Sequence, residues 1–123
     1  MEKFGFDPAL FERNGAKAVR FDAGQTIVAE GDSGKVMFLI RDGEVGLSVG
    51  GEVVSTLWPG DIFGEMAMID GSTRSATAVA KSPVDAVIMD RSTFVAVVRE
   101  APEFAMYVLS VLSVRVRELS YLM

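Results

Sequence analysis

Neither cysteine nor histidine occurs among the 123 residues. Without cysteine there is no disulfide framework, no thiol nucleophile and no thiolate ligand for an iron–sulfur cluster. Without histidine the chain lacks the usual zinc and haem ligand and the commonest general base. No metal site and no cofactor are expected. Cations are also scarce: 12 Lys and Arg stand against 17 Asp and Glu, a net charge of −5. That balance argues against nucleic-acid contact, which needs a basic patch to displace counterions. No apolar run reaches the roughly 20 residues that span a bilayer. The start, Met1 to Gly5, has no secretory-signal character. A cytoplasmic protein without a membrane partner is the expectation. No nucleophile–base pair or acid–base dyad shows in the spacing, so a non-enzymatic role is expected.

Half of the residues are apolar, enough for the core of one ordinary domain. Asp7-Pro8 reads as a helix start, because Asp caps and Pro at the first helical position loses no hydrogen bond. Asn14-Gly15 reads as its stop. The helical segment is placed within residues 7–17, with Leu10 and Phe11 docking on the body. From residue 18 to residue 90 the pattern is short β-rich runs punctuated by glycine. Asp42-Gly43 and Gly50-Gly51 read as hairpin turns. Strands are expected over 36–40, 44–49, 52–57, 74–80 and 84–89. Short antiparallel strands at this spacing imply a sandwich or jelly roll.

Past Asp90 the period changes again. Asp90 or Ser92 can cap a helix running to Arg99, and Pro102 starts a second. On that second helix Ala105, Leu109, Leu112, Val116, Leu119 and Met123 are spaced 4-3-4-3-4, an a/d seam. The stripe suits either a twin helix or the β-body. Residues 91–123 are therefore read as helices that cover the body, pair with a second copy, or both.

One cation stands out. Arg74 is the only Lys or Arg between Arg41 and Lys81. Glycines nearby let backbone N–H groups approach an anion closely. An arginine fork matches phosphate oxygens better than a lysine does. The stretch Phe63-Gly64-Glu65, a short apolar turn, then Arg74-Ser75-Ala76-Thr77 resembles the phosphate-binding cassette of the cyclic-nucleotide-binding domain family. Thr73 departs from it, since many members carry proline before the arginine. The resemblance runs over about residues 18–118. It takes in 21–27, Glu30-Gly31-Asp32-Ser33-Gly34, 37–40 and Gly43-Glu44-Val45 upstream, and the helices from Phe94 to Arg117 downstream.

The resemblance implies an antiparallel β-roll, mainly β, with a short N-terminal helix and two C-terminal helices, the whole chain forming one cyclic-nucleotide-binding domain. It implies a cyclic phosphate held by Arg74, by Ser75 and Ala76, and by backbone N–H groups at Met66 and Ala67. It places the ribose 2′-hydroxyl on Glu65, beside Gly64. Leu47, Val54 and Met66 are either plain core or the apolar wall against base and ribose. Arg115, Leu119 and Ser120 sit where the last helix reaches the base, Arg115 to stack on it and Leu119 to give apolar cover. Tyr107 and Tyr121 are rival caps. Ser75 suits cyclic AMP and cyclic GMP, with cyclic AMP favoured. The implied function is a signal sensor whose last helix moves on binding, with a possible homodimer through that helix and an unknown effector. Two alternatives stand: the sensor half of a transcription regulator of the catabolite-activator kind, and a degenerate roll that binds protein instead of nucleotide.

Overall fold

The computed structural model describes residues 5–122, and side chains as far as residue 117. In chain order it contains α1 (Ala9–Arg13), β1 (Lys17–Phe21), β2 (Thr26–Val28), β3 (Met37–Asp42), β4 (Val45–Val49), β5 (Glu52–Leu57) and β6 (Ile62–Phe63). These are followed by α2 (Glu65–Asp70), β7 (Thr77–Ala80), β8 (Val84–Met89), α3 (Arg91–Glu100) and α4 (Glu103–Leu122). The strands form two four-stranded antiparallel sheets, ordered β1-β8-β3-β6 and β2-β7-β4-β5. The expected mainly-β roll with flanking helices is borne out.

The first sheet has apolar matter on both faces. In β3, Met37 and Leu39 face one core cluster while Phe38 and Ile40 face another. In β8, Val87 and Met89 join the first cluster, and Val84 and Ala86 the second. Successive side chains on a strand point to opposite faces, so a strand buried on both sides reads as a continuous apolar run. The first cluster lies between this sheet and the helices, around Phe11, Val97 and Phe104; the second is the interior of the roll. Phe104 of α4 meets Phe11 edge-on at 5.2 Å.

The helices are tied to this frame by side chains suited to their ends. Asp7 accepts a hydrogen bond from the Ala9 N–H at 3.0 Å, which caps α1 ahead of Pro8. Arg13 bridges Asp7 and Glu100, joining α1 to the end of α3. Its guanidinium holds both carboxyls below their usual range. Of the two candidate caps for α3, Asp90 does the work, accepting from the Thr93 N–H at 2.9 Å.

Three expectations are corrected. The strand expected over 74–80 begins only at Thr77, because the backbone of Arg74 pairs instead with the loop at Gly31 and Asp32, at 2.8 Å in each direction. The turn after Gly64 is the six-residue helix α2. The seam on α4 divides between two surfaces. Leu112 packs on the core beside buried Phe104 and Val108, whereas Leu109 and Val116 are 56% and 61% exposed. The face turned inward is thus Phe104, Val108, Val111 and Leu112. Leu119 and Met123 lie outside the described side chains.

Asp90→Ala should lower stability by about 1 kcal/mol, the usual cost of losing a helix cap, read as a lower urea midpoint. The Asp90 carboxyl is held below its ordinary value, chiefly by the Thr93 N–H. Its contribution is therefore complete above the unfolded carboxylate range and lost as the pH falls through the lowered folded value. The gap between wild type and variant should close in acid and stay constant from pH 6 to 8.

Candidate functional site

The site forms where three local structures meet. The loop leading into β7 carries Arg74 inward. Helix α2 starts beside it, with Gly64 at its N-terminal boundary in the left-handed region at φ 78°. The second half of α4 passes over both. Between them lies a cavity of about 740 Å³, walled by Leu47, Val54, Phe63 to Ala67, Thr73 to Ala76, Val111, Val114 and Arg115. That volume is in the range of small-molecule sites.

Arg74 is the central feature. It is only 7% exposed. Its Nη1 donates to the Val36 carbonyl at 2.9 Å and to the Gly64 carbonyl at 3.4 Å, and its Cζ lies 5.7 Å from the centre of the Phe38 ring. Phe38 is itself stacked on Phe63 at 4.7 Å. Among the described residues no carboxylate pairs with Arg74. Carbonyl dipoles and a ring face orient the cation without neutralising it. Burial pulls the guanidinium below its ordinary value, yet arginine stays charged throughout the physiological range. A buried, oriented cation on a cavity wall, with no carboxylate partner among the described residues, has the chemistry to accept an anion.

Two glycines make room for that side chain. A Cβ on Gly34 would stand 2.6 Å from both Cζ and Nε of Arg74. One on Gly64 would stand 2.6 Å from Nη1 and 3.1 Å from the Val36 oxygen.

Glu65, the first residue of α2, is completely buried. Its carboxylate pairs with the Arg115 guanidinium of α4, and Arg115 also donates to the Ile62 carbonyl at 3.4 Å. Apart from that pair, no donor among the described residues reaches its two oxygens with hydrogen-bond geometry. A buried carboxylate with unused acceptor capacity is costly, and a hydroxyl donor would satisfy it. The position suits the charge, because an acid in the first turn of a helix faces the positive end of the helix dipole. The N–H groups of Glu65, Met66 and Ala67 stand in the first turn, where no intrahelical carbonyl precedes them, so the same turn offers donors. The chemistry on offer is therefore a fork and N–H groups for an anion, beside an acceptor for a hydroxyl, in an apolar chamber.

Gly64, Glu65, Met66, Ala67, Arg74, Ser75 and Ala76 all line this cavity, as do Leu47, Val54 and Arg115. Ser75 is exposed. Leu47 is partly packed on the roll interior while also facing the cavity, so the core and wall readings coincide there. Val54 is 60% exposed at the rim, not a core residue. Leu119, Ser120 and Tyr121 lie outside the described side chains. Tyr107 does not line the cavity: its hydroxyl donates to the Gly60 carbonyl at 2.5 Å, and burial pushes its phenol up to about 12. No group of three or more Cys, His, Asp or Glu able to hold a metal occurs among the described residues. Nor is any helix there long and apolar enough to cross a membrane.

Comparison with known proteins agrees with this geometry. The family model described as "Cyclic nucleotide-binding domain" matches residues 18–101. The chain belongs to the cyclic nucleotide-binding domain family. It is 33% identical over 103 residues to the cyclic AMP receptor protein of Thermus thermophilus, covering 80% of this chain and 48% of that protein. It is 40% identical over 84 residues to a cGMP-dependent protein kinase of Eimeria tenella, covering 68% of this chain and 8% of the kinase. The crystal structure of the Thermus thermophilus catabolite activator protein superposes with a TM-score of 0.79 at 29% identity, covering 94% of this chain and 58% of that one. The chain thus spans half or less of these curated relatives.

Some residues of this cyclic nucleotide-binding domain were not visible as site residues in the sequence. Gly34 stood only among the opening glycine turns. Val36 contributes its carbonyl and Phe38 its ring face, and neither role has a sequence signal. Val111 and Val114 read as ordinary helix residues until α4 is laid over the cavity.

The Gly34–Arg74 contact can be tested by a double-mutant cycle. Gly34→Ala alone should cost about 1–3 kcal/mol of unfolding free energy, as overpacking does. In an Arg74→Ala background its cost should fall below about 0.5 kcal/mol, because the clashing group is gone. Equal costs in both backgrounds, measured by urea unfolding, would show that Gly34 does not shape the Arg74 site.

Proposed function

We propose that this domain binds one 3′,5′-cyclic nucleotide in the cavity between α2, the β7 loop and α4. The observation that carries the reading is Arg74: a 7% exposed guanidinium with no carboxylate partner among the described residues, on the wall of a 740 Å³ chamber. The singly charged cyclic phosphate takes the Arg74 fork, the N–H groups of Met66 and Ala67, and those of Ser75 and Ala76. The ribose 2′-hydroxyl donates to Glu65 across Gly64. Leu47 and Val54 face base and sugar from the strands, and Arg115 from the helix. Arg115 meets Glu65 in an ion pair, so its first contribution is at the ribose end instead of a stack on the purine.

Between the two bases, cyclic AMP is favoured. Ser75 after the arginine is compatible with both, and the relatives include a cyclic AMP receptor protein and a cGMP-dependent kinase. The role is that of a binding domain, not of an enzyme. A ligand that touches both α2 and α4 biases the position of α4, and it does so only as far as its affinity differs between the helix positions. The moving helix is the output to an effector. Since 80% of the chain aligns with 48% of the Thermus receptor, the same domain can serve as the sensor part of a longer transcription regulator or act on a separate partner. The exposed side chains of Met106, Leu109 and Val116 support a homodimer through α4. Sedimentation should then show a dimer that Leu109→Glu with Val116→Glu converts to monomer; a monomeric wild type would remove the dimer.

Calorimetric titration with cyclic AMP, cyclic GMP and linear 5′-AMP tests the reading. One-to-one binding of a cyclic nucleotide, much weaker for the linear control, is expected. Arg74→Ala should weaken it by about 100-fold or more, since a charge-assisted bidentate contact is worth roughly 3 kcal/mol. Glu65→Ala should narrow the preference for ribose over 2′-deoxyribose ligands. Absence of binding by the folded wild type would favour the degenerate, protein-binding roll.

A further inference from the structure

Both ends of α2 are held by arginines from the C-terminal helices, and only one of these lies in the cavity. At its start, Glu65 pairs with Arg115 of α4. At its end, Arg91 Nη2 donates to the Ile69 carbonyl at 2.5 Å. Ile69 belongs to the last turn of a six-residue helix, where carbonyls have no intrahelical donor. Gly71 closes that end, but its N–H goes to the Ala67 carbonyl at 2.9 Å. Arg91 therefore satisfies a carbonyl that the backbone cap leaves open.

Its own position makes the contact informative. Arg91 is the first residue of α3, where a cation faces the positive end of that helix dipole and is disfavoured. The negative end of α2 is where the charge gains. Arg91 also lines an open groove of about 390 Å³ together with Lys35, Asp70 and Asp90, so residues at the end of α2 and the start of α3 share one groove. A six-residue helix is too short to hold its shape alone, which makes each end contact matter.

We propose that Arg91 is a positioning residue that ties α2 to α3, so that a displacement of α2 is passed to the α3–α4 arm. The contacts close a ring: α2 to Arg91, α3 through Ala101 and Pro102 into α4, and Arg115 back to Glu65. A ligand pulling the start of α2 then acts on α4 by two routes, across the cavity and around through α3. The inference rests on the cyclic-nucleotide reading only for what moves α2; the tie itself does not depend on it.

Amide hydrogen exchange on the 123-residue chain tests it with wild type, Arg91→Ala and Arg91→Lys. Without nucleotide, α2 amides in Arg91→Ala should exchange about five- to tenfold faster, the worth of one hydrogen bond, while β8 amides stay unchanged. Arg91→Lys keeps a donor and should restore most of the protection. With saturating cyclic AMP or cyclic GMP, wild type should gain protection in both α2 and α3, and Arg91→Ala in α2 alone. Unchanged α2 exchange in Arg91→Ala, acceleration spread equally over β8, or full α3 protection in the bound variant would each overturn the tie. If wild type binds neither nucleotide, the proposed function fails, and the first comparison still decides whether Arg91 holds α2.

Discussion

The site depends on keeping one arginine buried without a counter-charge among the described residues. Removing a guanidinium from water is costly, and proteins usually offset that cost with a carboxylate. Here the offset comes from dipoles: two backbone carbonyls, at Val36 and Gly64, and the face of Phe38. Such partners orient the fork and leave its charge available. The arrangement constrains its surroundings. Gly34 and Gly64 must lack side chains, Phe38 must be fixed by Phe63, and the loop at Gly31 and Asp32 must hold the Arg74 backbone.

The frame explains how so small a domain meets these demands. Strands β3 and β8 bury both faces, so one sheet serves the roll interior and the helical layer at once. Phe38 points into the roll and supports Arg74, while its neighbours Met37 and Leu39 support the helices. The site and the helix that covers it are therefore anchored to the same strand. The opposite charge, Glu65, is neutralised by Arg115 from α4 and forms no ion pair with Arg74. The two halves of the site keep separate electrostatics, and the proposed reading assigns the anion to the Arg74 half and the hydroxyl to the Glu65 half.

Much of this was legible in the sequence, for physical reasons. Arg74 shows because it is alone among residues without positive charge, and the hairpins show because Asp42-Gly43 and Gly50-Gly51 carry turn chemistry. The α1 boundaries show in Asp7-Pro8 and Asn14-Gly15. What stayed hidden was short or distant. Helix α2 has six residues, too few for a helical period to emerge, and it read as a turn. The start of β7 was placed early because Arg74 pairs with a loop, a contact that strand propensity cannot reveal. Glu65 meets Arg115 only through the path of α4. On α4 a heptad pattern was present, but the core selected the neighbouring stripe through Phe104 and Val108, leaving Leu109 and Val116 outside.

The availability of Arg74 is best measured at its own nitrogens. Side-chain 15N–1H resonances of the arginines can be followed while cyclic AMP and then cyclic GMP are added to the labelled chain. Arg74 should shift and its guanidinium rotation should slow at saturation, while exposed Arg20 and Arg99 stay in place. Saturable binding with Arg74 unmoved would contradict the claim that its buried charge is what the ligand meets.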